Sequence, residues 1–108
     1  MAGKFEHYCD TSGKFRFRLK ARNGENIASS DRYEARSGAI NGIKAAVKSA
    51  SNPGHFEVFE GKDKNWYFKL KVDNGRVIRS RGYQSRRGAH RGVRSFAYNA
   101  KYAKVSDS

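Results

Sequence analysis

The chain has 108 residues, of which 23 are Lys or Arg and 10 are Asp or Glu, so its formal net charge is +13. A hydrophobic share of 37% can fill a core, whereas 31% charged residues require a heavily solvated surface. No apolar run approaches the roughly 20 residues that cross a bilayer, and a single cysteine excludes an internal disulfide. Because the first residues also lack the apolar stretch of a signal peptide, we expect a soluble, cytoplasmic protein without membrane contact.

Residues 5–50 and 56–100 are two copies of one unit of about fifty residues. A unit of this size is marginal alone because it buries too little surface, so the two copies should share a core. We therefore expect one domain over residues 1–108, built from repeat 1 (4–52) and repeat 2 (55–105). At an offset of 51 up to Ser80 and 50 after it, the matches include Phe5/Phe56, Phe17/Phe68, Leu19/Leu70, Asn23/Asn74, Gly24/Gly75, Ile27/Ile78, Tyr33/Tyr83, Gly38/Gly88 and Gly42/Gly92.

Each repeat begins with strands. Residues 15–21 alternate between apolar and cationic side chains, and residues 66–72 repeat the pattern with an aromatic residue in place of one cation, which predicts strands with one buried face. An Asn-Gly pair follows each strand and suits the positive backbone angles of a tight hairpin turn. The turn pairs are Asn23-Gly24 and Asn74-Gly75, and the short returning strands carry Ile27 and Ile78.

Each repeat ends with an amphipathic helix. Gly42 and Gly92 lie beside the apolar stripes, where the missing side chain lets a helix approach the sheet. Pro53-Gly54 ends the first helix and forms a short turn before the next strand. The first stripe, in residues 37–50, is Ala39, Ile40, Ile43, Ala46, Val47 and Ala50, and the second is Ala89, Val93, Phe96, Ala97 and Ala100.

These elements predict an α+β fold of two tandem strand-strand-strand-helix repeats. We expect the repeats to share one antiparallel sheet with pseudo-twofold symmetry, with both helices packed on its apolar face. Phe17, Leu19, Ile43, Phe68, Leu70 and Val93 should be buried together.

Some of these segments also resemble a known family. The stretch GKFRFRLKARNGE at 13–25, Tyr33, and AINGI at 39–43 are similar to the YegP-like family of small bacterial proteins of unknown function, and the similarity spans nearly the whole chain in two copies. The resemblance implies that each repeat has three antiparallel strands, a helix and a further strand, in a single sheet with exchanged end strands. Residues 101–105 would then supply the closing strand. The family has no established activity, so the resemblance implies no site residues.

The second helix carries the highest concentration of positive charge. Residues 53–108 contain 13 basic and 5 acidic residues, and no acidic residue lies between Asp73 and Asp107. At 100° per residue, Arg87, Arg91, Arg94 and Tyr98 fall in a narrow arc opposite the apolar stripe. This arc is our first candidate for contacts with phosphates.

The outer face of the sheet is the second candidate surface. Side chains that alternate with the buried ones point outward, where Arg forks could bind phosphates and Tyr67 could stack on a base. The candidate residues of this surface and of the basic segment beyond it are Arg16, Arg18, Lys20, Tyr67, Lys69, Lys71, Arg79 and Arg81.

The charge leaves three interpretations open. Binding of the nucleic-acid backbone, of DNA or RNA without sequence preference, is the one we favour. A merely solvated basic surface on a structural or protein-interaction module is the second, and an acidic protein partner is the third. No motif for reading bases is present, and we expect a monomer rather than a dimer.

No catalytic signature emerges. His7 and Cys9 could share a strand face, but a nucleophilic pair also needs an orienting group, so we expect an edge histidine and a small buried thiol instead. Three scattered histidines and one cysteine have no metal-ligand spacing. We therefore expect neither enzyme activity, nor a cofactor, nor a metal.

Overall fold

Strands and helices follow one another in the order that the repeats predict. The structure is a computed structural model and describes residues 3–72 and 75–107. A 3-10 turn at Pro53–His55 joins the repeats. The elements of the described residues are β1 (Lys4–Cys9), β2 (Phe15–Lys20), β3 (Asn26–Ser30), α1 (Arg36–Ala50), β4 (Phe56–Glu60), β5 (Trp66–Lys71), β6 (Val77–Ser80), α2 (Arg86–Tyr102) and β7 (Lys104–Asp107).

The strands form one sheet in the order β4-β5-β6-β3-β2-β1-β7. The repeats meet where β3 pairs with β6, with Ser29 opposite Arg79, so the pseudo-twofold axis passes between these strands. Both helices pack on the same apolar face. The predicted α+β fold is confirmed, and the sheet is antiparallel except for the parallel pair of β1 and β7. Neither helix of the described segments is long and apolar enough to cross a membrane.

The exchange of end strands takes place in one direction only. Strand β7 of repeat 2 pairs with β1 of repeat 1, but it begins at Lys104, because α2 continues to Tyr102 and occupies part of the predicted segment 101–105. After α1 the chain passes directly through Pro53–His55 into β4. The five residues 51–55 are too few to form a strand and return. Repeat 1 therefore donates no closing strand.

The first Asn-Gly pair forms a hairpin that depends on its glycine. Gly24 has a φ of 87°, whereas Asn23 has no positive φ, so the turn needs the left-handed conformation at one position rather than two. The Asn23 side chain instead accepts a hydrogen bond of 3.0 Å from the Glu25 backbone N–H. In the second hairpin Gly75 has a φ of 73°, and Asn74 lies outside the described residues.

A tyrosine and a glycine hold each helix against the sheet. The Tyr33 backbone bridges to Phe15 at the start of β2, and its ring lies 6.1 Å from the Phe17 ring, between centroids. A Cβ atom at Gly42 on α1 would lie 2.9 Å from the Phe17 ring and would also clash with the Tyr33 hydroxyl. Tyr83 and Gly92 repeat this arrangement in repeat 2. The glycines therefore let the helices pack closely on the sheet, as predicted, and also leave room for a tyrosine side chain.

The core contains most of the residues predicted from the sequence. Four residues of the predicted apolar stripes are not fully buried: Val47 on α1 is exposed, and Ile40, Val93 and Ala97 are only partly buried. The buried side of each helix is turned toward Gly42 and Gly92, which are themselves buried, and away from these four residues. The largest fully buried side chains are Phe5, Phe17, Phe68, Phe96, Leu19, Ile43, Leu70 and Ile78.

Phe96 on α2 joins the two repeats. Its ring packs edge-on against Phe56 and Phe68 of repeat 2, at centroid distances of 5.9 and 6.0 Å. It also packs edge-on against Phe5 of repeat 1 at 6.4 Å. Because Phe5 and Phe56 lie on strands that are far apart in the sheet order, the sheet must curl around the helices to bring both rings to Phe96.

Replacing Phe68 with alanine should destabilise the protein by about 3 to 5 kcal/mol. Phe68 is 0% exposed and packs against Phe56, Tyr83 and Phe96, so its loss leaves a cavity that rigid neighbours cannot fill. Urea denaturation would measure the change, with Val47→Ala, an exposed site on α1, as the control that should stay within about 0.5 kcal/mol. A loss below about 1 kcal/mol for Phe68→Ala would contradict this assignment of the core.

Candidate functional site

The exposed side of α2 carries three arginines and a lysine, all of them exposed. The side chain of Ser85 caps the helix by accepting a hydrogen bond of 3.0 Å from the Gly88 backbone N–H. The structure brings together the four residues predicted there, and the longer helix adds two more. We call this set the α2 stripe, and it consists of Arg87, Arg91, Arg94, Tyr98, Lys101 and Tyr102.

The arginines of the α2 stripe have no local countercharge. Across residues 3–72 and 75–107, no carboxylate lies within 4 Å of the guanidinium groups of Arg87, Arg91 or Arg94. Their charge is therefore directed at solvent, where it can attract an anion.

Two tyrosines continue the α2 stripe toward the end of the helix. Tyr98 and Tyr102 are 54% and 57% exposed, and their ring centroids lie 5.2 Å apart. The Lys101 ammonium lies 5.5 Å from the centroid of the Tyr102 ring. Lys101 and Tyr102 were not predicted as site residues, although they continue the helical spacing of Arg94 and Tyr98, because the predicted helix ended two residues earlier, at Ala100.

The outer sheet face is not the cationic surface that the alternating pattern predicts. Glu6 on β1 lies directly across from Arg18 on β2 and forms ion pairs with Arg18 at 2.9 Å, Lys4 at 3.2 Å and Lys20 at 3.2 Å. Burial alone would raise the pKa of Glu6, but these hydrogen-bonded cations outweigh it and hold the pKa at about 2. A single buried carboxylate therefore neutralises part of this surface.

The remaining cations of the sheet and of its neighbouring segment are mostly occupied as well. Arg16 donates two hydrogen bonds to the Ser30 carbonyl, at 2.9 and 3.1 Å. Lys71 is exposed. The other pairs are Lys69 with Glu57 at 3.4 Å, Arg79 with Asp31 at 3.5 Å and Arg81 with Glu25 at 3.1 Å. The outer face is thus a surface of mixed charge, because acidic residues occupy neighbouring strands and loops.

Tyr67 is also engaged within the protein. Its hydroxyl donates a hydrogen bond to the Asp63 carboxylate, which raises the pKa of Tyr67 and lowers that of Asp63. Its ring stacks on Phe59 with a centroid distance of 5.9 Å. The side chain therefore presents less free ring surface for a base than the exposed tyrosines of α2 do.

A basic cleft lies beyond the tyrosine end of the α2 stripe. It has a volume of about 730 Å³ between the β2–β3 hairpin and the α2–β7 connection, and Tyr102 forms part of its wall. Its four cationic lining residues are Lys4, Lys20, Arg22 and Lys104. The sequence could not predict this cleft as a site, because its lysines and arginine converge only when β7 pairs with β1.

His7 and Cys9 have different hydrogen-bond partners in the structure. His7 is buried and its Nδ1 lies 2.9 Å from Arg36 Nη1, whereas Cys9 is exposed at the end of β1. The predictions of an edge histidine and a buried thiol were wrong, because β7 covers the edge at His7 and β1 ends at Cys9. Arg36 also binds Asp107 on β7 at 2.7 Å, so His7 belongs to the contact that holds the closing strand.

Comparison with known proteins identifies the family. Residues 10–57 and 62–107 each match the domain of unknown function DUF1508. The chain belongs to the DUF1508 family. Each match covers most of one repeat, so the DUF1508 domain corresponds to the duplicated unit. The resemblance to YegP-like proteins is confirmed.

Relatives of this DUF1508 chain occur with one and with two repeats. A UPF0339 protein of Stutzerimonas stutzeri is 40% identical over 107 residues, covering 97% of this chain and 96% of the relative. A UPF0339 protein of Treponema denticola is 53% identical over 58 residues, which are all of that relative and 54% of this chain. The solution structure of yegP from E. coli, described as a protein of unknown function, superposes with a TM-score of 0.93 at 30% identity and covers 100% of this chain and 94% of that one.

Replacing Glu6 with glutamine should remove a pH-dependent part of the stability. Because the pKa of Glu6 is lowered from 4.5 to about 2 in the folded state, the carboxylate stabilises the protein above pH 4.5, and this stabilisation disappears as the pH falls toward 2. Glu6→Gln should therefore lower the free energy of unfolding at pH 7 by about 1 to 3 kcal/mol and flatten its decrease between pH 4.5 and 2.

Glu57→Gln is the matched control, because Glu57 is the counterpart of Glu6 in repeat 2 and forms an exposed pair with Lys69. It should change stability by at most about 1 kcal/mol. Chemical denaturation at several pH values would compare the two variants. Equal effects of the two substitutions would contradict the assignment of a special role to Glu6.

Proposed function

We propose that this DUF1508 protein is a non-catalytic, cytoplasmic module that binds the phosphate backbone of nucleic acids without sequence preference. The observation that carries the proposal is the α2 stripe, in which three exposed arginines lack a carboxylate partner among the described residues, whereas most cations of the sheet are paired. Exposed cations of this kind release condensed counterions when they meet phosphates, which favours binding.

The spacing of the arginines supports contact with several phosphates. Arg87, Arg91 and Arg94 lie four and three residues apart, so they extend about 10 Å along the helix axis at about 1.5 Å per residue. Successive phosphates of one DNA strand rise by about 3.4 Å, so this distance covers about three of them. Each planar guanidinium can donate two hydrogen bonds to one phosphate.

The tyrosines and the basic cleft favour binding of a single-stranded segment of nucleic acid next to the α2 stripe. Tyr98 and Tyr102 expose ring surface on which bases can stack, a contact that tolerates any base. Arg22 and Lys104 in the adjoining cleft could contact further phosphates. In this proposal the protein therefore binds single-stranded segments at least as well as duplexes.

A salt titration tests the proposal. Fluorescence anisotropy with labelled single- and double-stranded DNA and RNA of two unrelated sequences should show binding that weakens steeply with salt and hardly depends on sequence. The triple variant Arg87→Ala, Arg91→Ala, Arg94→Ala should flatten the log-log salt slope on duplex DNA by about 2 to 3, because about three phosphate contacts are lost. Stability should change by at most about 0.5 kcal/mol per site, since the side chains are exposed.

Lys69→Ala with Lys71→Ala is a control on the sheet, where these two cations point outward. It should leave the slope nearly unchanged if the α2 stripe carries the contacts. Glu6→Gln should also leave affinity nearly unchanged, whereas a large gain would move the binding site to the sheet. Absence of binding at low salt would contradict the proposed function and favour a merely solvated surface or an acidic protein partner.

A further inference from the structure

The two ends of the sheet differ although the repeats are equivalent. Strand β7 covers the outer edge of β1. The equivalent outer edge of β4 pairs with no strand within residues 3–72 and 75–107. The pseudo-twofold symmetry therefore leaves one position in the sheet without its strand, next to β4.

The covered end shows how the fold holds a closing strand. β7 runs parallel to β1, with Val105 beside Phe5 and Asp107 beside His7. Arg36, the first residue of α1, donates a hydrogen bond of 2.7 Å to Asp107 Oδ1. The Arg36 guanidinium also lies 5.1 Å from the centroid of the Phe15 ring, which positions it at this edge.

The uncovered end carries equivalents of the groups that face β7. Phe56 corresponds to Phe5, and Trp66 to Phe15. Arg86, the first residue of α2, corresponds to Arg36 and lies 5.7 Å from the centroid of the Trp66 ring. Arg86 is exposed and has no carboxylate partner in the described part of the chain.

A core phenylalanine is more exposed at the uncovered end of the sheet than its counterpart is at the covered end. Phe5, beside β7, is 0% exposed, whereas Phe56 remains only partly buried although it packs against Phe68 and Phe96. An apolar side chain placed beside Phe56, as Val105 is placed beside Phe5, would remove this surface from water.

We propose that the outer edge of β4 binds an extended segment of an acidic partner protein as a parallel strand. By the register of β7, the segment places an apolar residue beside Phe56 and, two residues later, a carboxylate beside Val58 that binds Arg86. Backbone hydrogen bonds supply the affinity, and the two side-chain positions supply the selectivity. This surface lies apart from the α2 stripe and does not depend on nucleic-acid binding.

The charges at this edge disfavour a second copy of the chain as the occupant. Glu57 is exposed on β4, and in a fully overlapped antiparallel pair of two β4 strands it would lie diagonally opposite the Glu57 of the other copy, which brings like charges together. The net charge of +13 also opposes self-association and favours an acidic partner.

The proposal can be tested with a peptide that has the sequence of residues 102–107, Tyr-Ala-Lys-Val-Ser-Asp, and whose two ends are blocked. Titrated into ¹⁵N-labelled protein, it should shift the backbone amide signals of β4 in a saturable manner. The same peptide with asparagine in place of its aspartate should bind about tenfold more weakly, because the charged hydrogen bond to Arg86 is lost. Arg86→Ala should weaken binding of the aspartate peptide by a similar factor, whereas Lys44→Ala, an exposed cation on α1, should have no effect.

Several outcomes would overturn the proposal. Absence of saturable β4 shifts at millimolar peptide, or equal binding of the two peptides, would exclude the site. Shifts confined to β1 would mean that the peptide only displaces β7. Shifts of β4 that grow with protein concentration alone would assign the edge to a second copy, and the same β4 shifts with a uridine oligonucleotide would assign it to nucleic acid.

Discussion

The packing of Phe96 against aromatic residues of both repeats is the contact on which the rest of the structure depends. One fifty-residue repeat buries too little surface to be stable alone, and Phe96 on α2 lies against Phe5 on β1 as well as Phe56 and Phe68 of its own repeat. The sheet curls to make these contacts possible, and this curvature directs the apolar face inward. The exposed side of α2 faces solvent because its opposite side is held in this core.

The duplicated unit has taken different roles in its two copies. In repeat 1, Glu6 is buried among three cations and Arg36 binds Asp107, so charge stabilises the fold. In repeat 2, the counterparts Glu57 and Arg86 are exposed. Asn41, Lys44 and Lys48 of α1 correspond to Arg91, Arg94 and Tyr98 of α2. Repeat 2 therefore presents the groups that can meet a partner, and the two proposals concern its helix face and its sheet edge.

The sequence predicted what depends on local pattern and missed what depends on pairing between distant segments. Alternation, the Asn-Gly pair at 23–24 and the apolar stripes are local, and they located the strands, the hairpin and both helices. The neutralisation of the sheet face depends on the register that places Glu6 opposite Arg18, which no single strand encodes. The burial of His7 and the basic cleft depend on the parallel pairing of β7 with β1. Most of the α2 stripe was predictable because one helix contains it, and only its last two residues, Lys101 and Tyr102, lay beyond the predicted helix end.

Native-state hydrogen exchange of a Phe96→Ala variant tests most directly whether the repeats share one core. We expect the most protected amides of β2 and β5 to lose the same opening free energy, about 3 to 5 kcal/mol, although Phe96 belongs to repeat 2. Both strands would then exchange through one global unfolding. A loss of protection confined to β4, β5 and β6, with β2 unchanged, would contradict the shared core.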